Sequence, residues 1–280
     1  MRAELRPDPL RIPPNAATRA SERVEEGFAA RGWSALRCLA APDFRFDDRG
    51  RRALVAGDVE TWIQNGQVIR EWPGLRQEIT VLATAGERLA LERFLIATDS
   101  GEGEYLRILE VDAAGRLCAV IRFDPDDRRA ASVEMSDRFR RGEGQRIPAA
   151  AREALDALLR HDFARLRAAL PDDFAFRDHR RTGLGRIEEP DSFIRSLAPI
   201  AEQAPDFCIE TLYSVAIGAQ GMLDVARLYG TLAASGGAFE TVYARLGIWR
   251  GDRIVGMELY EPEDLDRARA RFAEIHATGA

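Results

Sequence analysis

The chain has 280 residues, of which 40 are basic and 46 acidic, for a formal net charge of −6. Every basic residue is arginine, which excludes a Schiff-base lysine, a P-loop lysine and an amine base. Arginines alternate with carboxylates instead of forming a basic stripe, which speaks against nucleic-acid binding, and no apolar run reaches the roughly 18 residues of a membrane span.

In chain order, residues 1–15 are rich in proline and arginine and read as an extended arm. Helical periodicity runs from Ala16 to about Arg31, and Trp33, Leu36 and Leu39 continue a second short helix that Pro42 breaks. Phe44 and Phe46 alternate as in a short strand. A helix around Trp62, Ile63, Val68 and Ile69 ends at Pro73-Gly74. Strands are predicted over 77–84, 88–98, 104–112 and 116–123, the last two joined by a turn at 113–115. Residues 141–148 read as a linker. A helix then starts near Ala149, followed by a strand over 174–178, a helix over 191–202, and strands over 207–215, 222–232, 239–249 and 253–260. Gly251-Asp252 supplies the last hairpin turn. Pro125 and Pro262 are each expected at the first position of a terminal helix, beside acidic residues that suit its N-terminus.

The two halves repeat one another. Asp43-Phe44-Arg45-Phe46-Asp47-Asp48 recurs as Asp173-Phe174-Ala175-Phe176-Arg177-Asp178, Arg116-Leu117 as Arg253-Ile254, and Phe123-Asp124-Pro125 as Tyr260-Glu261-Pro262. Arg11-Ile12-Pro13 likewise matches Arg146-Ile147-Pro148. A repeat of about 130 residues is a whole small domain, not a solenoid unit. The expected organisation is an arm (1–15), a first repeat (16–140), the linker (141–148) and a second repeat (149–280). Helix, helix, strand, helix and then a run of antiparallel strands is an α+β order, with three helices on one face of a curved antiparallel sheet.

The three cysteines, Cys38, Cys118 and Cys208, are too few and too far apart for a disulfide framework or a metal knuckle. The histidines His161, His179 and His276 are equally scattered, so neither a metal nor a cofactor is expected. No charged-then-apolar leader opens the chain, and the expectation is a soluble, cytoplasmic protein.

This order resembles the NTF2-like superfamily, and within it the SnoaL-like branch, over both halves. The marks are Pro171-Asp172-Asp173-Phe174-Ala175-Phe176-Arg177-Asp178 and the hairpin Trp249-Arg250-Gly251-Asp252-Arg253-Ile254-Val255-Gly256. The resemblance implies two tandem cystatin-like cone domains arranged as an internal pseudo-dimer, with further self-association through the sheets. It also implies a pocket for a small apolar or polyketide-like molecule. The superfamily spans isomerases, dehydratases, epoxide hydrolases, cyclases and non-catalytic modules. Two readings follow: a cofactor-independent, metal-free isomerase, cyclase or epoxide-hydrolase type of acid–base enzyme, or a non-catalytic ligand-sensing or assembly module of an actinobacterial regulatory system.

Residues two apart in a strand share a face, so Phe44, Phe46 and Asp48 point together, as do Phe174, Phe176 and Asp178. A carboxylate beside two phenylalanines suits a general base if desolvation raises its pKa; it suits a structural role if it caps the next turn or pairs with an arginine. In ketosteroid isomerase the base occupies the last position of this element. The oxyanion-hole positions of that enzyme fall on Val24 and Ala154, and near Ile108 and Ala244, so neither half has that device. Arg93 and Arg227 sit mid-strand among apolar residues and would either pair with the aspartates or anchor an anion. Glu258, present in one half only, would complete a set with Asp178 and Arg227 like that of limonene-type epoxide hydrolases. His179 is expected to face away from Asp178 unless the register changes at the turn. Phe176, Tyr213, Tyr229, Tyr243 and Trp249 read either as pocket lining or as core.

Overall fold

The computed structural model describes residues 8–51 and 53–278. Residues 1–7 of the expected arm lie outside this set, as do Arg52 and residues 279–280 of the expected second repeat. By packing, the chain divides into two compact units, Pro13–Phe139 and residues 8–12 with 140–278.

The first unit opens with helices α1 (Ala16–Ala29) and α2 (Trp33–Leu39), then strands β1 (Ala40–Asp48) and β2 (Val55–Gly57). Helix α3 (Val59–Arg70) follows, then β3 (Arg76–Ala85), β4 (Leu89–Thr98), β5 (Gly101–Val111), β6 (Leu117–Phe123) and helix α4 (Arg128–Arg141). Asn15 fixes where α1 begins. Its side chain accepts from the Thr18 N–H, and its amide donates to the carbonyls of Gly86 and Leu89, both at 2.9 Å. Asp58 caps α3 through the N–H groups of Glu60 and Thr61.

The second unit repeats this series. Helices α5 (Ala149–Leu159) and α6 (Phe163–Ala169) precede β7 (Ala175–Asp178), β8 (Gly185–Ile187) and α7 (Pro190–Gln203). Strands β9 (Cys208–Gly218), β10 (Gly221–Thr231), β11 (Ala238–Arg250) and β12 (Arg253–Tyr260) lead to helix α8 (Leu265–Thr278). Gly251 adopts φ +62° in the β11–β12 turn, a conformation open to glycine at little cost. The expected linker contains a short 3₁₀ turn, Glu143–Arg146. The terminal helices start later than expected: Pro262 opens a 3₁₀ turn ahead of α8, and α4 begins at Arg128, three residues after Pro125.

The strand orders are β2-β1-β6-β5-β4-β3 and β8-β7-β12-β11-β10-β9. Both sheets are mixed, not antiparallel throughout, because β1 runs parallel to β6 and β7 parallel to β12. That pairing joins the first and last long segments of each repeat, which local periodicity does not report. The short edge strands β2 and β8 escape the pattern because most of their side chains are exposed.

Each sheet has an inner face covered by three helices. In the first unit Val24, Phe28, Leu36, Trp62 and Ile63 from the helices pack on Phe44, Phe46, Leu109 and Val120. The rings of Phe28 and Trp62 meet edge to face at 5.2 Å. In the second unit Phe193 of α7 contacts Phe174 and Phe176 at 5.2 and 5.0 Å. Helix α8 lies on the opposite, outer face of the second sheet, where Ala268, Leu265 and Phe272 pack against Leu223, Ala244, Leu246 and Tyr260. Residues 8–12 dock on that same face: the Tyr213 hydroxyl donates to the Pro9 carbonyl at 2.7 Å, and Ile12 packs with Leu212, Tyr213 and Val225. Cys208 is buried and Cys118 half-buried, as befits core positions. Among the described residues no helix is long and apolar enough to cross a membrane.

Candidate functional site

On the inner faces, ion pairs fill the space. Arg107 of β5 donates to Glu92 at 2.7 Å, to Glu25 at 2.9 Å and to Ser21 at 2.9 Å, with its guanidinium 4.7 Å above the Phe94 ring. Arg122 of β6 lies between the Phe46 and Tyr105 rings, donates to Asn65 at 2.6 Å and reaches Asp48 at 3.5 Å. The cavity left among Glu25, Phe28, Trp62, Tyr105, Arg107 and Arg122 is about 20 Å³, enough for about one water. Asp48 is therefore paired with Arg122, not with Arg93.

The second unit keeps the pattern with different partners. Arg245 donates to Asp224 at 2.7 and 3.0 Å, and Asp224 is completely buried. Burial works against the charge of Arg245, but Asp224 raises its pKa by more. Leu259 stands opposite Asp178 where Arg122 stands opposite Asp48, so Asp178 recruits a cation from the following turn. Arg180 grips it with two bonds of 2.9 and 2.8 Å, and the Leu184 N–H adds a third at 3.1 Å. Gly183 permits this loop: a Cβ there would lie 2.3 Å from the Asp178 carboxylate. Burial raises the Asp178 pKa, but Arg180 and the backbone donors lower it by more, so the net shift is downward. That is the environment of a structural carboxylate.

The outer face of the second sheet is different. Glu258 of β12, with a side chain only 3% exposed, collects donors from several elements. The Tyr260 hydroxyl donates to its Oε2 at 2.5 Å, Arg177 of β7 to its Oε1 at 3.1 Å, and Arg271 of α8 to Oε1 at 3.4 Å. His179 Nε2 lies 3.2 Å from Oε2, and the imidazole stacks on the Tyr260 ring at 4.6 Å. Burial raises the Glu258 pKa; the Tyr260 hydroxyl, Arg271, His179 and Arg177 together lower it below the usual glutamate value. Burial and the Glu258 charge push Tyr260 up, keeping its phenol protonated. An ionised Glu258 only accepts, so the His179 Nε2 that faces it is the donor of that bond. Nδ1 faces Arg267 at 3.5 Å.

Two clefts adjoin this cluster. One, of about 400 Å³, is lined by His179, Tyr260, Arg267, Ala270 and Glu274. The other, of about 240 Å³, is lined by Ala175, Ile248, Val255, Gly256, Asp173 and Arg250. Arg177, Glu258 and Arg271 border both. A carboxylate–imidazole pair opening on a cation-rimmed cleft can hold an anion and carry a proton to or from it.

Among the residues singled out from sequence, Glu258 and His179 come together; Asp178 and Arg227 do not join them. Arg93 is exposed and bound to Glu104 by two bonds of 2.7 Å. Arg227 shares a face with Val225, and its partners are Glu210 at 2.7 Å and Glu240 at 3.0 Å, with the Tyr229 ring at 4.5 Å. Tyr213 holds the arm. Trp249 is buried and donates to the Ala219 carbonyl at 2.7 Å. Phe176 is core, and Tyr243 is buried with Arg180 5.2 Å from its ring centre. Sequence reasoning missed Arg177, Arg180, Arg267 and Arg271. The first two follow from strand alternation around Asp178, but the α8 arginines are just part of an acidic–basic helix until its packing face is known.

Among its described residues the first unit carries no counterpart of this cluster. Ile121 fills the place of Glu258, and Arg49, stacked on Phe123 at 5.3 Å, that of His179. Asp124, Asp126 and Asp127 approach closely enough to ligate a cation, yet Arg51 already bonds Asp124 and Asp126.

No protein-family model matches the chain, and no curated protein matches it in sequence. Solved structures do. An NTF2-like protein from Burkholderia thailandensis E264 is 18% identical over 43% of this chain and 94% of its own, with a TM-score of 0.35. A hypothetical protein with a ketosteroid isomerase-like fold from Catenulispora acidiphila is 16% identical over 40% of this chain and 85% of its own, at 0.35. A protein named for SnoaL-like polyketide cyclases, from Jannaschia sp. CCS1, is 16% identical over 41% and 86%, at 0.34. Each match spans less than half of this chain, while the topology of the chain itself, three helices on a six-stranded sheet with a parallel first-to-last pair, occurs twice. By that repeated architecture the chain is a tandem of two α+β cone domains of the same topology.

Proposed function

We propose that the second cone binds a small organic anion in the cleft beneath α8 and that His179, oriented by Glu258, exchanges a proton with it. The observation that carries this reading is the buried Glu258 carboxylate, which fixes the His179 tautomer and turns Nδ1 toward a cleft rimmed by Arg177, Arg267 and Arg271. Among the described residues Arg267 has no carboxylate partner, so a cation is available for a ligand. Histidine is suited to proton exchange near neutral pH, and a carboxylate behind it fixes the ring and steadies the imidazolium. The reaction class is acid–base chemistry such as isomerisation, cyclisation or water addition. In this reading the proton carrier is the Glu258–His179 pair and not Asp178, whose two oxygens are both held by Arg180.

The test is a titration of the full chain with small carboxylates, followed through the ring resonances of the three histidines. Acetate should shift His179 and leave His161 and His276 in place. Arg267→Ala should weaken binding several-fold, and Glu258→Gln should release the Nε2–H tautomer. A His179 signal that no carboxylate moves would sink the reading.

A further inference from the structure

The two clefts on the outer face of the second cone differ in chemistry. The larger is bounded by His179, Tyr260, Arg267 and Glu274. The smaller has Ala175, Ile248, Val255 and Gly256 on its floor and walls, with an exposed Arg250–Asp173 pair, 3.3 Å apart, at its rim. They meet at the Arg177–Glu258–Arg271 bridge. Both arginines of that bridge are more than one-third exposed, so their guanidinium groups can turn aside without unpacking the core. Glu258 keeps Tyr260 and His179 as donors when they do.

From this division we propose that the ligand is a two-part molecule: an organic acid whose carboxylate sits beside His179 and Arg267 and whose apolar body crosses the bridge into the cleft over Ala175, Ile248 and Gly256. The inference rests on the anion-binding reading above and adds the class of molecule. A carboxylate alone would use the cationic lobe and leave the second lobe in water. An apolar chain of several carbons gains there by shedding hydration from both surfaces. The volumes of the two lobes, about 400 and 240 Å³, suit a small-molecule ligand rather than a macromolecule. The ordering of the lobes follows from the strands. On β7, Ala175 and Arg177 point outward two residues apart, and on β12 Gly256 and Glu258 do the same, so each strand runs from an apolar floor to a charged wall. Gly256 keeps the floor low: a Cβ there would touch the Ile248 side chain at 3.4 Å. The first cone, with Ile121 and Asp47 at the corresponding wall, cannot take this ligand.

The experiment compares acetate, hexanoate, octanoate and hexanol on the full chain, each followed at His179 by NMR, with affinities from calorimetry. Hexanoate and octanoate should bind at least ten-fold more tightly than acetate, and hexanol should leave His179 unshifted. Ala175→Leu, which fills the second lobe from its floor, should erase the chain-length gain while leaving acetate affinity intact; Val255→Trp provides a second block at the lobe wall. Unchanged acetate binding also certifies that each variant is folded. Equal binding of acetate and octanoate, with no effect of either block, overturns the two-part ligand but keeps the anion site. Absence of any carboxylate effect at His179 overturns both.

Discussion

Asp178 and Glu258 lie on adjacent parallel strands yet face opposite sides of the same sheet, because Asp178 stands in register with Leu259 and Glu258 with Arg177. The period of two in a strand makes this unavoidable once the register is set. Asp178 shares the helix-packed face with Phe176, Tyr243 and the Asp224–Arg245 pair; Glu258 shares the outer face with Tyr260, Arg177 and α8. The two carboxylates consequently have no partner in common, and a variant of each should separate stability from the binding proposed at His179.

For Asp178 the expectation is purely structural. Asp178→Asn keeps the shape but loses the charge that satisfies Arg180, and the Leu184 N–H keeps only one weaker acceptor. A loss of about 1–3 kcal/mol in urea unfolding is expected, with carboxylate affinity at His179 unchanged. Lost ligand binding at full stability would instead return Asp178 to the functional site.

Asp224 and Arg245 give a stronger prediction. Asp224→Ala leaves a buried, uncompensated guanidinium and should destabilise the second cone by about 3–5 kcal/mol. The double replacement Asp224→Leu with Arg245→Met should recover most of that loss, because a buried ion pair contributes little over well-packed apolar groups. If the double variant is as unstable as the single one, the pair supplies net stability through its bond to Thr211 as well.

The same reasoning explains what was legible before the fold was known. The repeat, the order of helices and strands, and the alternation that buries Phe174, Phe176 and Asp178 all follow from local pattern. The faces of the central strands do not. Arg93 shares its face with Leu91 and Leu95, yet that face is the outer one, because Glu92 and Phe94 meet Arg107 on the inner face, and both faces of β4 are largely buried. With apolar side chains on both faces, hydrophobicity cannot tell inner from outer. The ionic fillings, Glu92–Arg107 and Asp224–Arg245, are hidden for the same reason: each half of the pair reads as an ordinary charge until its cross-strand neighbour is known. The α8 contribution to the cleft was invisible because Arg267 and Arg271 lie in a helix of alternating charge whose packing face depends on Ala268 and Phe272.

Glu258 should leave a pH signature. Its folded pKa is depressed below the ordinary value of 4.5, so its ionised form is favoured by the fold. The resulting stability is present above the unfolded pKa and is lost as pH falls through the folded one. Wild type and Glu258→Gln should therefore differ by a constant amount near neutral pH, and the gap should narrow as the pH drops below about 4.5. Urea unfolding of both proteins from pH 7 to pH 3 measures it. A gap that widens on acidification would mean that Glu258 is held protonated in the fold.

The arm gives the last prediction. Residues 8–12 precede the first cone in sequence yet pack on the second, where Tyr213 donates to Pro9 and Ile12 joins Leu212 and Val225. Their removal should expose part of the outer face of β9 and β10. Tyr213→Phe should cost about 0.5–1.5 kcal/mol by deleting one hydrogen bond, and deletion through Ile12 should cost more because buried apolar area is lost with it. Hydrogen exchange locates the effect: amides of β9 and β10 should exchange faster, while those of β4 and β5 keep their protection. Faster exchange in β4 and β5 alone would assign the arm to the first cone and contradict the Pro9–Tyr213 contact.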